Sequence, residues 1–358
     1  MDFKELTNRL DGGGRITDKE AVDIFRTDDI FGLGRLANHI AEKRHKKLVY
    51  FIKNMHINPS NICINRCKFC AFSKSEGEEG SYEMTIEDAA AKARAVRGKV
   101  SEFHIVGGLH PRMGLQFYSE LFRAVKTEAP GAYIKALTAV EIDYLSKESG
   151  KSPRKVLEIL KEAGLDSMPG GGAEIFRTGV RDKLCPEKIP AKRWLQIKET
   201  AHGLGIKTTA TMLFGHVESY ADRVDHLSRL RKLQDKTGGF LAFIPLPFHP
   251  KNTRIKDTRP ISGLDILKTV AVSRIYLDNF DHIKAYWVMA GEKLAQVCLA
   301  FGANDMDGTV IEERITHAAG GESKSAMTVD EILHIIKKAG KTPVERDTLY
   351  NKRKVWRS

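Results

Sequence analysis

Eight strand–helix repeats predict an α/β chain closed into a (β/α)8 TIM-type barrel, with an N-terminal helical extension and a C-terminal helix. Three observations carry this. The strand-like runs are mostly continuous apolar stretches, as in a parallel sheet covered on its outer face by helices. The stretches between them have helical periodicity, as at Tyr220, Val224 and Leu227. The 358 residues are too many for one small core and suit one barrel-sized domain.

In chain order, 1–47 reads as a helical extension, 48–316 as the barrel, and 317–358 as a helical tail packed on it. Within the extension, Thr17-Asp18-Lys19-Glu20 is a capping box, followed by Ala21, Ile24 and Phe25 on one face. Gly12-Gly13-Gly14 is a turn, since neither a P-loop nor G-x-G-x-x-G follows. Strands are expected at 48–57, 102–106, 133–140, 167–175, 207–214, 239–246, 283–289 and, weakly, 307–311. Helices are expected at 85–96, 117–126, 153–163, 191–204, 220–234, 264–277 and 292–300. Thr328-Val329-Asp330-Glu331 is a capping box for the terminal helix.

Hydrophobic residues make up 42% and charged residues 29%, an ordinary globular composition. No apolar run approaches the ~20 residues of a membrane span. The start, Met1-Asp2-Phe3-Lys4-Glu5, has no apolar signal region, so a cytoplasmic location is expected. Five cysteines, an odd number, argue against a disulfide framework. The net charge is +12, spread along the chain without interleaved aromatics. Nucleic acid is therefore not expected as a partner, whereas a basic protein steers small anionic substrates.

Cys63, Cys67 and Cys70 follow the first strand at spacing C-x3-C-x2-C. Three thiolates hold an iron–sulfur cluster with one iron left open, where chemistry can occur. A zinc site completed by His56, or three plain buried cysteines, compete with this reading. In a barrel the active site lies at the C-terminal strand ends. There the sequence carries Gly107-Gly108 and His110, then Thr138 and Glu141, then Gly170-Gly171-Gly172 and Glu174, then His216 and Glu218, then Phe248 and His249, then Asp307 and Glu313. One of His110, His216 and His249 is expected to act chemically, and the others to bind anionic groups. Glu141 and Glu174 suit hydroxyl or amine donors. Arg193, Arg181 and His202 are weaker candidates on or beside helices, and Cys185 and Cys298 read as packing residues.

The cysteine motif, with Phe69 before its third cysteine, resembles the signature of the radical S-adenosylmethionine (SAM) superfamily. So do His56-Ile57-Asn58-Pro59-Ser60-Asn61, His104-Ile105-Val106-Gly107-Gly108-Leu109-His110-Pro111, Pro169-Gly170-Gly171-Gly172-Ala173-Glu174 and Phe243-Ile244-Pro245-Leu246-Pro247-Phe248-His249-Pro250, over nearly the whole chain from residue 54. Within that superfamily they are similar to the aminodeoxyfutalosine synthase family of the futalosine route to menaquinone. Its sisters are the dehypoxanthine futalosine cyclases and the deazaflavin-forming synthases. The resemblance implies a 4Fe-4S cluster on the three cysteines and SAM as co-substrate. It also implies a small dicarboxylate substrate and an external electron donor of flavodoxin or ferredoxin type. It places Phe69, Gly107, Gly108, Thr138, Glu141, Glu174 and Arg193 near SAM, with Arg193 toward the methionine carboxylate. Leu109 stands where the superfamily has an acid, so only backbone recognition is implied at Gly107-Gly108.

Overall fold

The computed structural model describes residues 2–255, 258 and 260–356. Three helices come first: Phe3–Asp11, Asp18–Phe25 and Ile30–His45. Thr17 and Glu20 form the expected capping box, and Gly12 ends the first helix. Leu6, Ile24, Phe25, Leu33 and Leu36 turn inward and join the main core.

Among the described residues eleven strands follow: β1 (Leu48–Ile52), β2 (Asn54–Ile57), β3 (Glu102–Ile105), β4 (Tyr133–Ala136), β5 (Ser167–Met168), β6 (Lys207–Phe214), β7 (Phe240–Pro247), β8 (His282–Ile283), β9 (Asp305–Gly308), β10 (Thr342–Arg346) and β11 (Lys352–Val355). Strands β2 to β8 form one parallel sheet in sequence order. The expected eighth stave is present, but it is shared. β9 pairs with β1 in a second sheet, while parallel bridges Lys284–Asp305 and Met55–Ile311 tie 305–311 to β2 and to the residue after β8. The ring therefore closes through bridges rather than a continuous ladder.

Several expected elements are corrected. The 48–57 run is two strands in two sheets. Asn54 redirects the chain: its side chain accepts from the Val310 amide (2.9 Å) and its carbonyl from the Ile311 amide (3.2 Å). The 133–140 strand stops at Ala136. Leu137 takes a positive φ of 58°, and Thr138 caps an unforeseen helix, Ala139–Glu148. The 167–175 run pairs only over its first two residues before the triple glycine turns it, and 283–289 becomes β8 plus a short helix, Trp287–Ala290. The tail expected to be helical holds the helix Val329–Lys338 and also two strands: β10 pairs parallel to β1, and β11 antiparallel to β10.

Strand alternation positions the site. Met55, Ile57, Phe103, Ile105 and Ile134 are buried apolar residues of the main core. His56, His104 and Lys135, between them, are aligned in register across β2, β3 and β4 and line the barrel cavity. Below them, at the strand starts, Glu102 meets Thr348 of the tail (2.8 Å), and Arg346 pairs with Asp305 (2.7 Å). The tail thus closes the N-terminal end of the barrel and leaves the other end for chemistry. Among the described residues no helix is long and apolar enough to cross a membrane.

Candidate active site

The cysteine loop leaves β2 and is anchored on all sides. Asn58 Nδ2 donates to the Val106 carbonyl (2.8 Å), and Ser60 Oγ to that of Tyr82 (2.7 Å). Asn61 bridges the Gly80 carbonyl and the Tyr82 amide, both at 2.9 Å. The Ile64 amide donates to the Leu109 carbonyl (3.0 Å), and the Lys68 amide to that of Leu184 (2.8 Å). So anchored, the loop brings Cys63, Cys67 and Cys70 to one cavity of about 340 Å³ inside the barrel.

The donor set there fits an iron–sulfur cluster. All three side chains are soft thiols, and the Leu109 amide donates to Cys63 Sγ (3.3 Å), the kind of N–H···S contact that tunes cluster sulfurs. His56, the residue that would complete a zinc site, is stacked on the His104 ring at 4.6 Å. Among the described residues no three His, Cys, Asp or Glu side chains converge on a single-ion site.

Gly107 and Gly108 line the cavity beside the thiols. A Cβ on Gly107 would stand 2.9 Å from the Ser60 carbonyl, and one on Gly108 would run into that of Ile62. Glycine is needed here because two backbones approach closely. Both amides are used internally, Gly107 N–H toward Glu141 (3.3 Å) and Gly108 N–H toward Ser60 (2.8 Å). The carbonyls are therefore the backbone groups suited to an incoming amine.

Thr138 and Glu141 line the same wall as the two ends of a capping box. Burial pushes the Glu141 carboxyl up to about 7, although it accepts from the Thr138 amide (2.6 Å) and from Gly107. A folded-state pKa raised from 4.5 gives stability that is full below that value and lost as pH rises to about 7. In protein free of cluster and SAM, the melting temperature should fall across this window, and Glu141→Gln should flatten that part of the profile. An unchanged profile in the variant would remove Glu141 as its source.

Glu174 follows the triple glycine with a positive φ of 48°, a strained conformation of the kind that clusters at functional sites. Its Oε1 pairs with Lys188 Nζ at 2.6 Å. Burial alone would raise the carboxyl and lower the ammonium, but each partner's charge outweighs this, so both stay ionised. The ammonium also lies 4.9 Å from the Phe69 ring centroid, linking Glu174 to the cysteine loop. Arg193 is placed otherwise than expected. It pairs with Asp143 (2.6 Å) and is absent from the cavity lining, because its helix presents it to the neighbouring helix.

The three histidines separate. His249 lines the cavity, with Nε2 donating to the Met289 carbonyl (2.8 Å). His110 and His216 do not line it. His110 lies between Glu83 (2.9 Å) and the Arg112 amide (3.1 Å). His216 lies between Glu218 (2.8 Å) and the Leu213 carbonyl (3.0 Å). Both rings brace loops because their nitrogens are already committed. Sequence reasoning missed Lys135, Lys188, Lys284 and Tyr286, all on the cavity wall. A lysine inside an apolar strand run, as in Ile134-Lys135-Ala136 and Ile283-Lys284-Ala285, was a readable signal. Lys188, in a short loop, offered none.

This arrangement has close relatives. Residues 57–230 match the radical SAM superfamily, and 237–358 match the CofH/MqnC C-terminal region. The chain is 45% identical to the aminodeoxyfutalosine synthase of Thermus thermophilus, covering 98% of this chain and 96% of that protein. It is 41% identical to the 5-amino-6-(D-ribitylamino)uracil–L-tyrosine 4-hydroxyphenyl transferase of Methanopyrus kandleri (98% and 97% covered). It is 35% identical to the cyclic dehypoxanthine futalosine synthase of Streptomyces coelicolor (98% and 88% covered). Among solved structures, methylornithine synthase shares the fold, with TM-score 0.77 at 18% identity over 94% of this chain and 97% of that one. The cysteine-lined barrel and these full-length similarities together show that the chain belongs to the radical SAM superfamily of enzymes, in the branch that holds the aminodeoxyfutalosine synthases.

Proposed function

We propose that the enzyme joins the 5′-deoxyadenosyl group of SAM to the enolpyruvyl double bond of 3-[(1-carboxyvinyl)oxy]benzoate. Rearrangement and loss of one carboxylate then give 6-amino-6-deoxyfutalosine, with methionine and bicarbonate as the other products. The observation that carries this reading is one cavity shared by three thiols, the Gly107-Gly108 backbone and the two buried carboxyl groups Glu141 and Glu174. Identity to the Thermus thermophilus synthase supports the choice within the branch.

Cys63, Cys67 and Cys70 would hold the 4Fe-4S cluster, which when bound supplies the electron that cleaves SAM. The carbonyls of Gly107 and Gly108 accept from the methionine amine. Glu174, pinned by Lys188 through one oxygen, accepts from ribose hydroxyls through the other. Val106, Leu213, Ile244, Leu246, Phe248 and Met289 give apolar walls that exclude water from the reacting carbon. His249, held by the Met289 carbonyl, is the remaining strand-end histidine able to meet an anionic group. Exposed Lys68 and Arg254, joined by a backbone hydrogen bond of 2.8 Å beside the cysteine loop, offer a cationic face to an acidic flavodoxin- or ferredoxin-type donor in the cytoplasm.

Protein reconstituted with iron and sulfide without oxygen, then reduced with SAM and the enol ether, should yield 6-amino-6-deoxyfutalosine by mass analysis. Consumption of dehypoxanthine futalosine, or of tyrosine with a ribitylaminouracil, in place of the enol ether would overturn the assignment in favour of a sister activity.

A further inference from the structure

We propose that the cavity floor, formed by His56, His104, Lys135, Thr209 and Lys284, is a carboxylate subsite that seats the ring carboxylate of the substrate. The inference rests on the arylcarboxylate substrate proposed above and deepens it. It would orient the ring down the barrel and the enol ether up toward the thiols.

The floor is built for a polar guest. His56, His104 and Lys135 stand side by side in register on β2, β3 and β4, and Thr209 and Lys284 line the same cavity. Two of their atoms, His56 Nδ1 and Thr209 Oγ1, are buried without a hydrogen-bond partner among the described residues. Such orphans are rare, because each forfeits its hydration without return. Lys135 Nζ donates to Glu102 (2.7 Å) and Lys284 Nζ to Asp307 (2.8 Å). An ammonium has three donors, so each retains capacity for an anion. The apolar walls above the floor suit a flat aromatic ring.

The charges around the floor are already paired. Lys135 is matched by Glu102, Lys284 by Asp307, and the nearby Glu313 by His317 (2.9 Å). A bound carboxylate therefore adds an unmatched negative charge. The groups facing the stacked imidazoles are Lys135, Glu102, Asp307 and Glu313. Burial holds both rings neutral in the free site. An incoming anion reverses that balance, so the pair takes up a proton as the carboxylate binds.

Calorimetry on the cluster-loaded, unreduced protein with SAM tests this without turnover. The two ligands are 3-[(1-carboxyvinyl)oxy]benzoate and its analogue lacking the ring carboxylate, (1-carboxyvinyl)oxybenzene. The wild type should bind the diacid roughly 10- to 100-fold more tightly, the range for hydrogen bonds to a charged group. In buffers of different ionisation enthalpy it should take up about one proton with the diacid only. His104→Leu and Thr209→Val remove side-chain groups that make no hydrogen bond among the described residues, so folding should survive. Each should weaken the diacid while leaving the analogue unchanged. Equal affinity for both ligands in the wild type, or equal losses for both in the variants, would overturn the subsite. Discrimination without formation of 6-amino-6-deoxyfutalosine on reduction would keep the subsite and reject the reaction; turnover without discrimination would do the reverse.

Discussion

Replacing Cys67 with Ala should reduce SAM cleavage by about a thousandfold or more and leave the reconstituted protein with little iron. Loss of a group that only supports a metal ligand costs roughly 10- to 100-fold, and loss of a ligand exceeds that. Cys67 is 3% exposed, and its carbonyl receives the Cys70 amide (3.1 Å), so the truncation acts inside an ordered loop. Iron content, the spectrum of the reduced protein and methionine release are the readouts. Cys298→Ala is the control: this cysteine is buried at the end of the helix Glu292–Cys298, and its loss should lower stability without removing iron. Wild-type iron and cleavage in Cys67→Ala would refute the three-thiolate site.

Arg346→Met should destabilise the fold by about 3–5 kcal/mol, the usual result of breaking a buried ion pair from one side, since Asp305 then keeps, among the described residues, only the longer ion pair with Lys284 at 3.9 Å. Arg346 and Asp305 are both fully buried and pair at 2.7 Å. Their contact joins β10 of the tail to β9, where the ring closes. Urea unfolding should show the loss as a lower midpoint. The double variant Arg346→Met/Asp305→Asn should recover part of it, because the stranded charge is gone. A single-variant loss below about 1 kcal/mol would mean that water or other groups replace the guanidinium.

Both experiments concern places where the sequence was legible to different degrees. The cysteine spacing is local, so the loop and its soft donor set could be read directly. The barrel was legible because a strand buried on both faces and an amphipathic helix leave different periodicities. Boundaries were less so. Thr138-Ala139-Val140-Glu141 continues an apolar run, yet its ends also form a capping box, and in the structure the helix prevails. The tail strands were missed because β10 and β11 gain partners only from β1 and from each other.

Among site residues, Gly107, Gly108, Thr138, Glu141, Glu174 and His249 reach the cavity, whereas His110, His216 and Arg193 turn to Glu83, Glu218 and Asp143. Position after a strand says that a residue is near the barrel mouth. It does not say which way the loop turns its side chain. The row His56, His104 and Lys135 shows the same limit from the other side. Each is a polar residue between two buried apolar neighbours in its strand, and register alone makes the three adjacent.

By itself, the sequence determined the barrel class and the cysteine trio, because these rest on periodicity and local spacing, and the kind of chemistry entered through the resemblance of its motifs to a known superfamily. The tertiary structure alone decided which strand-end groups share one cavity, that Lys188 holds Glu174, and that the tail seals the barrel through Arg346. Those pairings join residues far apart in the chain, and their geometry exists only once the ring has closed.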